Sequence, residues 1–235
     1  MAQYSPEYQT QVHLTLYDSP DLKALATQAL QGRHLQLNEE SRTETAIEVR
    51  LCEDAYSGWI ALTDVESLQL TPTPYVPPKV TAVQIQERIG DAIAFTKAAM
   101  AVPNTYLWGG TIGPNYDCSG LMQRAYGDQG IWLPRDSYQQ QAFTQTIAEP
   151  GSKPEDCLND LRPGDLIFFG KPEKTNHVAM YLGNGVYIHS SGKDQGRNCI
   201  EIDRLDESDT VRQAYYRQFR GAGRVVSSYC PPKKD

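Results

Sequence analysis

Four prolines between residues 71 and 80 constrain the fold of this chain more than any other feature. Proline fixes its own φ angle and lacks a backbone N–H, so neither a helix nor a central strand can continue through such a segment. Apolar residues alternate with polar ones before the segment and recur at helical spacing after it. The sequence therefore predicts two domains, residues 1–72 and 83–235, joined by an extended linker over residues 73–82.

Short strands dominate the first predicted domain. Apolar and polar side chains alternate over residues 11–17, where Val12, Leu14 and Leu16 share one face, and again over residues 47–52. A turn at residues 56–58 leads into another apolar run that ends at Leu62. Several short strands in about seventy residues are typical of a small all-β barrel.

Helices precede strands in the second predicted domain. Ile85, Ile89 and Ile93 lie on one face of a helix predicted over residues 81–101, and a second helix is predicted from about residue 119 to 128, with Asp117 as its cap. Apolar runs at residues 166–169, 178–182 and 185–189 predict strands. This order indicates an α+β domain, with helices packed on a sheet.

Composition excludes several classes of function. The 235 residues include 22 Lys and Arg against 29 Asp and Glu, a net charge of −7, whereas proteins that bind nucleic acids concentrate basic residues on one face. No apolar run is long enough to span a bilayer. If Met1 is the native start, the lack of a basic and apolar leader predicts a cytoplasmic protein, whose five cysteines should be reduced thiols. The sequence makes no prediction of oligomeric state.

Cys118 is the candidate nucleophile, because it lies where the second helix is predicted to begin. Unpaired N–H groups and the helix dipole favour an anion there, so we expect a lowered thiol pKa. The alternative for any isolated cysteine is a buried structural role, which we assign to the other four.

Two histidines give the cysteine a chemical context. His177 and His189 flank the turn signal Gly183-Asn184-Gly185, and a hairpin closing there brings their imidazoles close together. One imidazole can then accept the thiol proton while the other orients it, which is the logic of acyl-transfer enzymes. Alternatives are two unrelated histidines, or a zinc site with Cys118, although no CxxC or HExxH spacing supports a metal.

Five motifs in order make the second domain resemble the NlpC-type cell-wall cysteine peptidases, which have a papain-like fold. The resemblance covers roughly residues 85–225, and its motifs are Tyr-Leu-Trp-Gly-Gly from Tyr106, Asp-Cys-Ser-Gly-Leu from Asp117, Leu-Pro-Arg-Asp-Ser from Leu133, Arg-Pro-Gly-Asp-Leu from Arg162, and Asn-His-Val-Ala-Met-Tyr-Leu-Gly around His177. It implies that Cys118 is the nucleophile, His177 the general base and His189 the polar third member. It also suggests that the Tyr106 hydroxyl and the Cys118 backbone N–H stabilise the oxyanion, for which the chemistry needs two donors.

The first domain resembles a bacterial SH3-like barrel, through Tyr56, the following Gly-Trp-Ile at 58–60 and the preceding Glu53-Asp54. Family members with such a barrel are similar to γ-D-glutamyl-L-diamino acid endopeptidases, which cut free murein peptides. The resemblance implies that the barrel narrows the cleft and helps select a free N-terminal L-Ala.

A free amine that enters a partly closed cleft loses hydration and needs a carboxylate partner. We expect Asp136, in the third motif, to bind that amine with help from Tyr56 and from Glu53 or Asp54. Asp136 could instead merely cap a helix. Ser119 is expected to hydrogen-bond the substrate, or else to stabilise the first helical turn.

The sequence thus predicts a cytoplasmic cysteine endopeptidase that hydrolyses the bond between γ-D-Glu and meso-diaminopimelate in murein peptides, in cell-wall peptide recycling. No metal or organic cofactor is expected. One alternative uses the same Cys and His site in an N-acetylmuramoyl amidase or an acyltransferase. Another is a non-catalytic wall-binding protein whose barrel carries the function.

Overall fold

The computed structural model describes residues 6–232. Residues 1–5 and 233–235, which the predicted domain ranges include, lie outside the described residues. The strands and helices are β1 Glu7–Thr10, β2 Leu14–Tyr17, β3 Leu25–Ala29, β4 His34–Asn38, β5 Ala46–Leu51, β6 Ser57–Ala61, β7 Leu68–Leu70, α1 Ala82–Ala101, α2 Cys118–Gly127, α3 Ser137–Phe143, β8 Gln145–Ala148, α4 Pro154–Cys157, β9 Leu166–Lys171, β10 Lys174–Gly183, β11 Val186–Ser191, β12 Cys199–Arg204, α5 Thr210–Arg217 and β13 Phe219–Arg224. Within residues 6–232, no helix combines the length and the apolar character needed to cross a bilayer.

The first seven strands form one antiparallel sheet in the order β3-β2-β6-β5-β4-β1-β7, which we call the N-terminal sheet. Its core contains Leu14, Leu16, Ile47 and Val49 from the alternating runs in the sequence. The strand predicted over residues 11–17 begins only at Leu14, and Val12 is 47% exposed. The reason is a turn, in which the Thr10 hydroxyl donates to the Val12 carbonyl at 2.6 Å and ends β1.

The proline-rich segment follows the N-terminal sheet. Strand β7 ends at Leu70 and α1 begins at Ala82, with neither helix nor strand between them. Thr81 caps α1, because its hydroxyl accepts from the Gln84 backbone N–H at 3.3 Å while the Gln84 side chain accepts from the Thr81 N–H at 2.9 Å. The domain limits predicted from the sequence remain predictions.

The remaining six strands form a second antiparallel sheet in the order β12-β11-β10-β9-β13-β8. Alternate side chains of β9 divide between its two faces. Leu166 and Phe168 join the core with α1 and α2, whereas Ile167 and Phe169 join the core with α4 and α5. This confirms the predicted fold class, helices on an antiparallel sheet after an all-β region.

Buried polar contacts fix the N-terminal sheet against the loops around the start of α2. Arg135 donates from Nε to the Thr27 hydroxyl at 2.8 Å, and the Thr111 hydroxyl donates to the Gln28 carbonyl at 2.8 Å. Gly109 has a φ of +81°, and a Cβ there would lie 2.7 Å from Leu25 Cγ, so the close approach requires glycine. The N-terminal sheet therefore contacts the loops that flank the start of α2 at Cys118.

Candidate active site

Helix α2 begins at Cys118 because Asp117 holds its first turn. The Asp117 carboxylate accepts from the Gly120 backbone N–H at 2.6 Å and from the Gly109 N–H at 2.8 Å. A Cβ at Gly120 would lie 2.0 Å from the Gly110 carbonyl oxygen, so only glycine allows the loop to pack this closely. Cys118 is thereby fixed at the helix N-terminus, where the sequence predicted it.

Arg135 neutralises Asp117 inside the protein. Its guanidinium donates to both carboxylate oxygens, at 2.6 and 3.2 Å, and to the Ser119 hydroxyl at 3.0 Å, and Arg135 is only 2% exposed. Because it also bonds Thr27 of the N-terminal sheet, this one side chain ties that sheet to the first turn of α2.

The two predicted histidines are hydrogen bonded to each other. His177 on β10 and His189 on β11 lie with Nε2 and Nδ1 2.8 Å apart. The His189 Nε2 lies 3.1 Å from the Asp203 carboxylate on β12. The facing imidazole nitrogens are thus engaged with each other, which disfavours the zinc alternative because a metal ion would have to replace that hydrogen bond.

The hydrogen bonds define the tautomers. An ionised Asp203 can only accept, so His189 carries its proton on Nε2 and presents a lone pair at Nδ1. His177 must then donate from Nε2, which leaves its Nδ1 unprotonated. His177 therefore has one nitrogen free to accept a proton.

The Cys118 thiol lies near this pair. The backbone N–H of Val178, the residue after His177, faces the sulfur. The Tyr215 ring lies with its centroid 4.8 Å from each imidazole centroid, and its pKa is raised by burial and by the nearby Cys118. The hairpin brings His177 and His189 together, as predicted, and the start of α2 places the buried Cys118 beside β10, the strand that carries His177.

Burial controls the protonation state of the group. It raises the pKa of the Cys118 thiol to about 12, an effect that the Asp117 carboxylate increases and the Val178 N–H and Arg135 partly offset. Burial, followed by the charge of His189, holds the pKa of His177 well below its ordinary value. Both shifts favour the neutral thiol and the neutral imidazole, and the raised pKa of Cys118 is opposite to the lowered value expected from the helix N-terminus.

Cys118 opens onto a cavity of about 490 Å³ between the N-terminal sheet and α2, α3 and the start of β10. Neither His177 nor His189 forms part of its wall. The cavity contains three of the five predicted substrate-binding residues, Tyr56, Ser119 and Asp136, together with both predicted oxyanion donors. It is lined by Ala26, Tyr56, Tyr106, Trp108, Gly109, Asp117, Cys118, Ser119, Arg135, Asp136, Ser137, Tyr138, Lys174, Thr175 and Asn176.

Asp136 and Tyr56 reach this cavity from opposite domains. Asp136 is half-buried, and desolvation raises its pKa while Arg135 and the Tyr138 hydroxyl lower it. Across residues 6–232, no Lys or Arg nitrogen comes within 4.0 Å of its carboxylate, in contrast to Asp117. Asp136 is also the N-cap residue of α3, with its N–H donating to the Gln139 side chain at 3.0 Å. Its carboxylate is thus available to a cation in the cavity.

The hydroxyl groups of Tyr106 and Ser119 differ in whether other protein groups already bind them. The pKa of the Tyr106 hydroxyl is raised by burial and by the nearby Cys118, so it is a hydrogen-bond donor at neutral pH. Ser119 already accepts from Arg135 at 3.0 Å and lies 3.3 Å from Asp117. Its hydroxyl is therefore part of the support of the first turn of α2 as well as of the cavity wall.

These features coincide with a known family. Residues 103–219 match the NlpC/P60 family, and residues 16–65 match the bacterial dipeptidyl-peptidase Sh3 domain. Residues 103–219 are an NlpC/P60 domain. Both resemblances drawn from the sequence motifs are confirmed, and the N-terminal sheet contains the matched Sh3 domain.

Relatives of the NlpC/P60 domain include named peptidases. The gamma-D-glutamyl-L-lysine dipeptidyl-peptidase of Bacillus cereus is 32% identical over 139 residues, which are 58% of this chain and 36% of that protein. The murein DD-endopeptidase MepS/murein LD-carboxypeptidase of Escherichia coli K12 is 33% identical over 110 residues, 46% of this chain and 51% of that protein. The matches thus span about a third to a half of these relatives. A crystal structure of an NlpC/P60 family protein from Bacillus cereus matches 97% of this chain and 64% of that chain at 26% identity, with a TM-score of 0.48.

Glu53 and Asp54 of the Sh3 domain do not reach the cavity, which corrects the expectation that one of them binds substrate. Both are buried and paired with Arg33, at 3.1 and 3.0 Å. The Glu53 carboxylate also accepts from the His34 backbone N–H at 2.7 Å, and Asp54 accepts from the Gln123 side chain at 2.9 Å. Their negative charge supports the Sh3 domain and its contact with α2.

Sequence reasoning missed Asp203 and the role of Arg135 in the NlpC/P60 domain. Asp203 lies in an alternating run, Cys199 to Arg204, that follows the histidine-bearing hairpin, and an acidic residue in the next strand is a usable signal for a histidine partner. Arg135 stands beside Asp136 in a quoted motif, but no local pattern indicates that a guanidinium is buried against a helix cap.

Proposed function

We propose that the protein is a cysteine endopeptidase that hydrolyses the bond between γ-D-Glu and meso-diaminopimelate in murein peptides with a free N-terminal L-Ala. The observation that carries the proposal is the juxtaposition of the Cys118 thiol, on the wall of a cavity, with the hydrogen-bonded pair His177 and His189. The similarity to the gamma-D-glutamyl-L-lysine dipeptidyl-peptidase of Bacillus cereus supports a γ-D-glutamyl bond as the substrate.

The resting protonation states fit acyl transfer by a neutral pair. His177 accepts the Cys118 thiol proton at Nδ1 as the sulfur attacks the γ-carbonyl carbon, and the carbonyl oxygen becomes an oxyanion. The Tyr106 hydroxyl and the Cys118 backbone N–H are the proposed donors to that oxygen. Collapse breaks the C–N bond, and the leaving amine takes the proton from His177. Water then hydrolyses the thioester and regenerates the thiol.

The cavity also supports recognition of a free amine. A substrate ammonium beside Asp136 would pair with a half-buried carboxylate that has no other cation within ion-pair distance among the described residues. Tyr56 supplies a hydroxyl from the Sh3 domain on the same cavity wall. An N-acetylated peptide lacks the charge and adds bulk, so it is expected to bind poorly.

Mass spectrometry of the protein incubated with L-Ala-γ-D-Glu-meso-diaminopimelate tests the proposal. We expect release of diaminopimelate from this peptide and none from its N-acetylated form. Cys118→Ala should abolish hydrolysis, whereas Cys157→Ala, which removes another buried thiol that does not line the cavity, should retain it. Peptides with lysine in place of diaminopimelate define the preference for the leaving diamino acid.

The same experiment separates the alternative reactions. An amidase acting on a muropeptide would free a peptide that begins with L-Ala and leave the diaminopimelate linkage uncut. Cleavage of neither substrate, together with unchanged mass of the muropeptide, would favour a wall-binding protein. Turnover of released peptides in the cytoplasm is the proposed setting, and fractionation of cells with an antibody against the chain tests that location.

A further inference from the structure

Asp203 is a buried carboxylate that the assignment of Cys118, His177 and His189 leaves unexplained. It is 1% exposed and lies on β12, where it faces Tyr187 of β11. Glu201, two residues before Asp203 on the same strand, faces His189. Side chains two residues apart on a strand share a face, so Asp203 and His189 meet diagonally across the sheet. Its carboxylate lies 3.1 Å from His189 Nε2, on the side opposite His177.

Two arginines hold the Asp203 carboxylate in its ionised form. Arg197 donates from Nη2 to Oδ1 at 2.6 Å and from Nε to Oδ2 at 3.1 Å, and Arg212 donates from Nε to Oδ1 at 3.1 Å. The pKa of Asp203 is lowered far below its ordinary value because hydrogen bonds from His189, Arg197 and Arg212 outweigh its burial. The group therefore remains an acceptor across the physiological pH range.

We propose that Asp203 is a positioning residue that fixes the tautomer of both histidines and so keeps the Nδ1 of His177 free to accept the Cys118 proton. This proposal deepens the proposed function and rests on it for its catalytic consequence. The order of hydrogen bonds is Asp203, then His189, then His177, and each step assigns one proton. Without an acceptor at Asp203, the hydrogen bond between the two imidazoles is free to reverse, with His189 Nδ1 as the donor and His177 Nε2 as the acceptor.

Asp203→Asn is the decisive substitution because the arginines favour one orientation of the amide. Arg197 and Arg212 have donors only, and two of their N–H groups meet Oδ1 whereas one, from Arg197 Nε, meets Oδ2. We therefore expect the amide oxygen at the Oδ1 position and the NH2 group facing His189. His189 would then carry its proton on Nδ1 and donate it to His177 Nε2. The His177 proton would move to Nδ1, which blocks the nitrogen that should accept the thiol proton.

A matched control is available just before β9, in the same domain. Asp165 is 3% exposed and accepts from Arg224 at 2.8 Å with both oxygens and from the Arg162 backbone N–H at 2.7 Å, but it does not line the Cys118 cavity. Asp165→Asn therefore also removes a buried, arginine-bound charge. A purely structural Asp203 predicts the same loss of stability and of activity in both variants.

The experiment combines kinetics with long-range ¹H–¹⁵N NMR of the four histidines in the intact chain, assigned by single substitutions. In the wild-type protein we expect His177 and His189 to be neutral with protons on Nε2. Asp203→Asn should shift both protons to Nδ1 and lower kcat by about 10-fold or more, with KM changed by less than about twofold. Asp165→Asn should leave the tautomers and kcat unchanged.

Two results would overturn the proposal. One is a wild-type spectrum with the His189 proton on Nδ1, which decides the question even if Asp203→Asn fails to fold. The other is an equal loss of kcat in Asp203→Asn and Asp165→Asn. If the wild-type protein leaves the murein tripeptide intact, the proposed function fails, but the tautomer comparison still tests the role of Asp203.

Discussion

At the scale of single residues, Cys118 shows what a sequence pattern can and cannot predict. The order of the motifs identifies Cys118, His177 and His189 as one group. This is possible because a hairpin turn and the start of a helix are each encoded in a short stretch of sequence. The protonation state depends on burial and on Asp117, Asp203 and Arg135, which come from separate parts of the chain. A helix N-terminus alone therefore predicted a thiolate, whereas 95% burial of Cys118 favours the thiol.

A neutral Cys118 thiol makes a testable prediction about alkylation. With a pKa of about 12, the thiolate fraction rises tenfold for each pH unit from 7 to 10, and the rate of reaction with iodoacetamide should rise with it. Peptide mass spectrometry after timed quenching measures the rate at Cys118, with the exposed Cys230 as the reference site. A rate at Cys118 that is constant from pH 6 to 9 would instead indicate a preformed thiolate–imidazolium pair.

Asp136 and Glu53 provide a contrast between a carboxylate facing the cavity and a paired one. Asp136→Asn removes the proposed partner of the substrate amine, so KM for the free-amine peptide should rise by about 10-fold or more, with a smaller effect on kcat. Glu53→Gln is the matched control. It should lower the free energy of unfolding, because it breaks the buried pair with Arg33, and leave KM unchanged. The proposed amine site is wrong if Glu53→Gln raises KM and Asp136→Asn does not.

At the scale of elements, long periodic segments were predictable and short ones were not. Helix α1, helix α2 and strands β9 to β11 lie within a few residues of their predicted positions, because each has a clear apolar period. Helix α3 entered only through the alternative that Asp136 caps a helix, and helix α5 and strand β12 were not predicted, because these segments are short and tertiary contacts stabilise them. An acidic residue in the strand after the hairpin signals a histidine partner, but β12 holds both Glu201 and Asp203, and only the three-dimensional register selects Asp203.

The start of α2 depends on a side chain that follows the helix in sequence. Arg135→Met would leave the buried Asp117 carboxylate without its guanidinium, and we expect the free energy of unfolding to fall by about 3–5 kcal/mol. Arg42→Ala, which breaks an exposed ion pair with Glu39, should change it by less than about 1 kcal/mol. Urea denaturation followed by circular dichroism measures both. Equal effects would show that Arg135 contributes no more than a surface ion pair.

At the scale of the whole molecule, the buried histidines link stability to pH. The pKa values of His177 and His189 are both lowered, chiefly by burial, so the unfolded chain binds more protons than the folded one below about pH 6.5. Their contribution to stability is present above that pH and is lost as the pH falls. Each buried neutral histidine should reduce the free energy of unfolding by about 1.4 kcal/mol per pH unit.

Urea denaturation at a series of pH values from 7.5 to 5 measures this slope, and two variants test its origin. His177→Gln should remove the larger part of the slope below pH 6.5, because the pKa of His177 is lowered more strongly than that of His189. His34→Gln should not change the slope below pH 6.5. A hydrogen bond to Glu53 raises the pKa of His34, so the stability that His34 contributes is already present once the pH has fallen to about 6.5. A wild-type protein equally stable at pH 7 and 5 would contradict the buried neutral state of both histidines.

The contact between the Sh3 domain and the NlpC/P60 domain also determines the shape of the cavity. Gly109 has a φ of +81°, and a methyl group there would meet Leu25 Cγ at 2.7 Å and the Ala26 carbonyl oxygen at 3.0 Å. Gly109→Ala should therefore push the Sh3 domain away and move Tyr56 from Asp136.

The ratio of kcat/KM for the free-amine peptide to that for its N-acetylated form should fall by about tenfold in Gly109→Ala, the effect of losing about 1.4 kcal/mol of amine recognition. Gly90→Ala, on α1 with nothing within 4 Å of the added methyl group, should keep the ratio and stabilise the helix. If Gly109→Ala folds and keeps the wild-type ratio, amine selection belongs to the NlpC/P60 domain alone.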